Sequence, residues 1–162
     1  MKSFKSELEM TENLLQSEQF MSYCLTLSMN TYITKEFKGY FGIPDLMIFD
    51  VKNDTSIASL GKAVAIELKL SDWRRALEQA YRYKAFADLS LVIIDAAKIK
   101  PALCQLGYFK KSRIGLVSYS VEDVFEEIYI PPFETPYVNN LRTKLEKVDF
   151  LRFQQLSTFC VN

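Results

Sequence analysis

The chain has 162 residues, 49% of them hydrophobic and 14% aromatic, with 20 Lys and Arg balanced by 20 Asp and Glu and no histidine. That length and apolar content suit a folded domain with its own core, not a disordered segment. Without histidine there is no Ser-His-Asp or Cys-His nucleophile system, no His-ligated zinc, no proximal-His haem and no imidazole acid or base. Catalysis would fall to carboxylates, lysine, tyrosine, cysteine or an oxygen-held metal. Zero net charge argues against a general polycation but leaves room for local patches.

The opening MKSFKSELEM turns acidic at once and lacks the apolar stretch of a signal peptide. No apolar run is long enough to span a bilayer, so a cytoplasmic protein with no membrane partner is expected. Cys24, Cys104 and Cys160 are too widely spaced for a zinc knuckle or a disulfide framework and read as buried free thiols. Residues 6–28 read as a helix, 32–37 as a strand, and 38–44, with Gly39, Gly42 and Pro44, as a turn or bulge. Residues 46–51 form a short apolar run suited to a central strand, and 53–56 with Gly61 mark a hairpin-like loop. Then come a strand at 63–70, a helix at 73–87, a strand at 89–94, a short helix at 98–107 and strands at 114–119 and 125–130. The order predicts an α/β fold, a mixed sheet flanked by helices in an α/β/α sandwich. Residues 1–131 would form the domain. Residues 132–162 would supply a proline-containing connector and a C-terminal helix packed on it, with Leu141, Leu145 and Val148 at helical spacing.

The most informative stretch is 63–70. Val64, Ile66, Leu68 and Leu70 alternate with Ala63, Ala65, Glu67 and Lys69, so one strand face is core and the other ends in an acid and a base. Burying those ions costs several kcal/mol each unless something compensates. A divalent cation held by carboxylates would do so. Asp45, at the mouth of the neighbouring apolar strand, is the natural second ligand for a cation that prefers oxygen.

Gly42-Ile43-Pro44-Asp45, a hairpin, and then Glu67-Leu68-Lys69 resemble the PD-(D/E)XK nuclease superfamily, which has the restriction-endonuclease-like fold. Gln79-Ala80-Tyr81-Arg82-Tyr83 is similar to the Q-x-x-x-Y element that follows the E-x-K strand in many members. The resemblance implies a Mg²⁺-dependent nuclease, with Mn²⁺ as a possible substitute, hydrolysing phosphodiester bonds of nucleic acid, DNA by preference. It implies that Asp45, Glu67 and the Leu68 carbonyl ligate the metal. Lys69 would position or deprotonate the attacking water, its pKa depressed by partial burial near the metal. Gln79 would brace the site or touch the nucleic-acid backbone. Members often add a further acid from the first helix or a nearby strand. Glu7, Glu9, Glu12, Glu18 and Glu36 compete for that role, and Glu36 is preferred because the turn returns Asp45 close to it.

Nucleic-acid contacts are expected from Arg74 and Arg75 at a helix start, from Tyr83, and from the acid-free cluster Lys98, Lys100, Lys110, Lys111 and Arg113, where Tyr108 and Phe109 are interleaved. Plainer readings stand beside these. Glu67 and Lys69 could be a weak surface pair, the basic residues a solvated face, and Tyr83 part of a core stripe with Trp73, Ala76 and Ala80. Asp72 is a good helix N-cap and needs no catalytic role. The alternative function is a nuclease-like nucleic-acid-binding or regulatory module whose site is unused. A homodimer through 125–130 or the C-terminal helix is also open.

Overall fold

The computed structural model of the protein describes residues 2–27, 31–38, 41–52 and 59–138. Helices α1 (Glu7–Leu14) and α2 (Glu18–Leu27) lead into strands β1 (Thr31–Lys35), β2 (Leu46–Lys52) and β3 (Ser59–Lys69). Helix α3 (Trp73–Tyr83) connects to β4 (Leu89–Asp95). A 3₁₀ turn (Ala96–Lys98), α4 (Lys100–Leu103) and α5 (Leu106–Ser112) then precede β5 (Gly115–Tyr119) and β6 (Phe125–Tyr129). The six strands form one sheet in the order β1-β2-β3-β4-β5-β6. Pairing is antiparallel from β1 to β3, parallel from β3 to β5 and antiparallel again to β6. The sheet is therefore mixed, and the fold is the expected α/β sandwich.

Strand alternation sorts the core into two layers. Val64, Ile66 and Leu68 of β3 join Leu46, Ile48, Leu91 and Ile93 beneath α1 and α2, packed with Met10, Leu14, Phe20 and Cys24. Ala63 and Ala65 face the other way with Met47, Phe49, Val92 and Ile94, against Ala76, Ala80 and Tyr83 of α3 and Phe109 of α5. The two alanines let α3 lie close to the sheet. Glu67 and Lys69 continue this second face at the end of β3.

Five expectations change. The helix expected over 73–87 stops at Tyr83, with Lys84 as its C-cap. The first helix is two, because Ser17, buried, accepts the Phe20 N–H on its hydroxyl at 3.0 Å and starts α2 as a cap. The region 98–107 holds two short helices, and α5 runs on to Ser112. Gly61 lies inside β3, not in a loop, where a Cβ would collide with the Asp50 carboxylate. Cys104 is exposed, while Cys24 is buried as expected, and Cys160 lies outside the described residues.

The proline-containing segment is a strap on the domain. Glu134 N–H donates to the Asp88 carbonyl at 2.8 Å, Tyr137 N–H to Lys84 at 3.0 Å and Val138 N–H to Ala85 at 3.1 Å. The buried Lys84 ammonium ties Glu134 at 3.0 Å to the Ser112 carbonyl at 2.8 Å. The helix expected from Leu141 onward lies outside the described residues. No helix among the described residues is long and apolar enough to cross a membrane.

Candidate functional site

The antiparallel register pairs Leu46 with Ile66. One step further along the same register sets Asp45 opposite Glu67, which puts both carboxylates on the α3 face of the sheet. Asp45 is fixed there by the Leu68 N–H, which donates to its Oδ2 at 2.7 Å. Glu67 is 1% exposed and Lys69 8%, so the surface-pair reading fails: these are buried charges. The Lys69 ammonium donates to Glu67 Oε1 at 2.6 Å, to the Leu68 carbonyl at 3.0 Å and to Glu7 Oε2 at 3.4 Å.

Tyr83 closes the other side. Its hydroxyl donates to Glu67 Oε2 at 2.6 Å and lies 3.1 Å from the Ile43 carbonyl. Helical Cβ atoms tilt toward the helix N-terminus, so a residue at the end of α3 can reach back to the strand end. The ring is buried, as a core stripe requires, and its hydroxyl belongs to the site. Gly42 allows this arrangement. Its φ of 146° suits glycine, and a Cβ there would stand 3.0 Å from Tyr83 Cε1. Gln79, one turn earlier on α3, is partly buried, and its Oε1 is buried without a hydrogen-bond partner among the described residues.

The acid reaching this cluster from outside β2 and β3 is Glu7 of α1. Glu36 N–H donates to the Asp45 carbonyl at 3.0 Å, so its backbone is where the expectation put it. However, its φ of 45° turns it out of the pleat, and its exposed side chain makes no hydrogen bond or ion pair with the cluster among the described residues. Glu7 could not be singled out from sequence, because a distant contact places it. Asp95, fully buried at the end of β4, accepts from the Ser3 hydroxyl at 2.5 Å, Phe4 N–H at 3.1 Å and Ala97 N–H at 2.9 Å. Phe4 also stacks on Tyr119 with ring centroids 5.5 Å apart. Together these pin the segment leading into α1.

Burial pushes the Asp45 carboxyl up to about 6, and the charges of Glu67 and Glu7 act the same way against the Leu68 N–H and Lys69. For Lys69 burial works to lower the pKa, but the Glu67 hydrogen bond and the charges of Glu67, Asp45 and Glu7 outweigh it and raise it. In this arrangement the Lys69 ammonium donates hydrogen bonds to Glu67, the Leu68 carbonyl and Glu7. Burial and the Glu67 hydrogen bond likewise raise the Tyr83 hydroxyl, which stays a donor.

The oxygens gathered here are two carboxylates and a backbone carbonyl, hard ligands that fit Mg²⁺ or Mn²⁺ and would not suit a soft metal. Among the described residues no group of three or more acidic or thiol side chains forms a metal cluster. Lys69 is bound by two of the same oxygens, on Glu67 and Leu68, that such a cation would use.

The basic residues divide between regions. Arg74 and Arg75 are exposed at the start of α3, where Asp72 caps the Arg75 N–H at 3.2 Å. Lys98 and Lys100 follow the end of β4, on the edge where β3 delivers Lys69. Lys110 and Lys111 are exposed in the last turn of α5. Arg113 leads into β5 at the opposite sheet edge and is ion-paired with Glu134 at 2.5 Å, so it stands apart from the cluster. Arg74, Arg75, Glu78 and Arg82 line a groove of about 470 Å³ that also reaches Gln79.

The fold and site together define an α/β sandwich with a buried acid–lysine–tyrosine cluster at one strand end. No family model matches the chain. No curated protein matches it. Among solved structures it is similar to a protein of unknown function from Silicibacter pomeroyi, at 17% identity over 77% of each chain with a TM-score of 0.48.

Proposed function

We propose that the chain is a Mg²⁺-dependent nuclease that hydrolyses phosphodiester bonds of DNA in the PD-(D/E)XK manner. The observation that carries this reading is the Glu67–Lys69 ion pair, buried at a strand end with Asp45 set opposite it. Two buried ions cost several kcal/mol where apolar side chains would be as stable or better, and a site that handles charge is a reason to keep them.

Asp45, Glu67 and the Leu68 carbonyl would hold Mg²⁺, or Mn²⁺ in its place, and the bound metal supplies charge neutralisation at the phosphate and a more acidic attacking water. Lys69 presents a protonated ammonium to the phosphate oxygens once it turns from Glu67, stabilising the charge that grows there. Tyr83 holds Glu67 in one orientation through its hydroxyl. Glu7, 47% exposed beside Lys69, offers the lysine an alternative acceptor when Glu67 is engaged elsewhere.

A binding or regulatory module that does not use its site is the second reading, and one observation favours it. Lys69 already occupies Glu67 Oε1 and the Leu68 carbonyl, two of the oxygens a cation would need. The two readings part on supercoiled, linear, single-stranded and branched DNA incubated with the protein in Mg²⁺, Mn²⁺ or EDTA. The nuclease reading expects metal-dependent products that disappear in Asp45→Ala and Lys69→Ala. Products that never form, or that survive unchanged in both variants, reject it.

A further inference from the structure

Trp73 opens α3 directly beyond the strand end that carries Lys69, and it is the centre of a stack. The Arg74 guanidinium lies 5.2 Å from its ring centroid, and Tyr108 of α5 packs on it with centroids 6.3 Å apart and planes at 30°. Phe109, fully buried, backs it at 6.2 Å. Tyr108 is the outermost ring, 57% exposed, and borders a hollow of about 290 Å³ shared with Gln105, Gly107 and Lys111. Arg74, Arg75 and Lys111 are exposed, and none of them has an ion-pair partner among the described residues.

A single exposed aromatic is ordinary. An exposed ring packed on a partly buried indole, with Arg74 on that indole and Lys111 in the adjoining hollow, is the chemistry that receives a nucleobase and its phosphates. Inside a duplex both faces of each base are covered by its neighbours. Away from duplex ends, an unpaired strand is what offers a free face. We propose that Tyr108, backed by Trp73, is a stacking platform for an unpaired base of single-stranded DNA, with Arg74 and Lys111 meeting the adjoining phosphates. This deepens the nuclease reading and rests on it, because it names the strand form that the site would receive.

Trp73 is the single tryptophan of the chain, so its fluorescence reports on the platform directly. The experiment titrates the full chain in EDTA with a short single-stranded DNA, its duplex and an RNA of the same sequence. Single-stranded DNA is expected to quench Trp73 and to bind about tenfold more tightly than the duplex. Tyr108→Ala should lose about tenfold in affinity, and Tyr108→Phe should keep it. If Tyr108→Ala fails to fold, Arg74→Gln and Lys111→Gln carry the test, each lowering the salt dependence of binding by about one phosphate contact. Equal affinity for duplex, an unchanged Tyr108→Ala or tighter binding of RNA overturns the proposal. Binding in EDTA needs no metal, so the two readings fail separately. Tight single-strand binding without cleavage in Mg²⁺ rejects the nuclease alone, and cleavage of single strands at an unchanged rate by Tyr108→Ala rejects the platform alone.

Discussion

Lys69 and Glu67 face each other across 2.6 Å on the same strand, buried at 8% and 1% exposure. The pair is two residues of β3 pointing to one side of the sheet, and the second Glu67 oxygen is taken by Tyr83. Removing either partner leaves the other charge in a poorly solvated place. Lys69→Met and Glu67→Gln should therefore each destabilise the protein by about 3 kcal/mol. The double variant should cost less than their sum by about 1–3 kcal/mol. Urea unfolding of the four proteins measures the coupling, and strict additivity would show the two side chains to be independent.

Tyr83 and Gly42 test the second support of Glu67. Tyr83→Phe keeps the ring and removes the hydroxyl that Glu67 accepts from, at an expected cost of about 2 kcal/mol, the range for hydrogen bonds to charged groups. Gly42→Ala adds a methyl 3.0 Å from the Tyr83 ring at a φ that alanine resists, and should cost at least about 1 kcal/mol. Denaturant midpoints check both. An unchanged midpoint in Gly42→Ala would mean that the 41–45 loop moves away from Tyr83 freely.

Asp95 governs where Glu7 sits. Asp95→Ala removes the acceptor of Ser3, Phe4 and Ala97 and should destabilise by about 2–3 kcal/mol. Hydrogen exchange should then quicken across residues 3–10 before the sheet is affected. Glu7→Gln, by contrast, should cost under about 1 kcal/mol, because Glu7 is half exposed and its 3.4 Å contact with Lys69 is screened. Uniformly faster exchange in Asp95→Ala would assign that residue to global stability alone.

The strap carries a pH signature. For Lys84 burial acts to lower the pKa, but hydrogen bonds and charge from Tyr137 and Glu134 outweigh it and raise it above 10.5. A raised lysine contributes stability that is complete below its unfolded value and fades as pH climbs through the folded value. The stability advantage of wild type over Lys84→Met should be constant from neutral pH to about pH 10 and shrink above it. An advantage that grows with alkali would reverse the sign of the interaction.

Much of this was legible in the sequence, for local reasons. Strict alternation from Val64 to Leu70 places bulky apolar groups on one face and Glu67 and Lys69 on the other, and the register continues that logic to Asp45. Asp72 caps α3 as its position before Trp73 suggests. What escaped was set by contacts distant in sequence. Ser17 divides the first helix with neither glycine nor proline to mark the break. Glu7 outranks Glu36 because Asp95, at the end of β4, fixes the N-terminal segment, while a positive φ turns Glu36 aside.

The measurement that bears most directly on the central claim is the rate of cleavage of end-labelled DNA as Mg²⁺ is raised, for wild type beside Asp45→Asn. Asp45 would hold the metal, with Lys69 at the end of the neighbouring strand. The account predicts a wild-type rate that rises with Mg²⁺ to a plateau, falls to background in EDTA, and is reduced to background at every concentration in Asp45→Asn. Cleavage indifferent to EDTA, or equal in the two proteins, would contradict it.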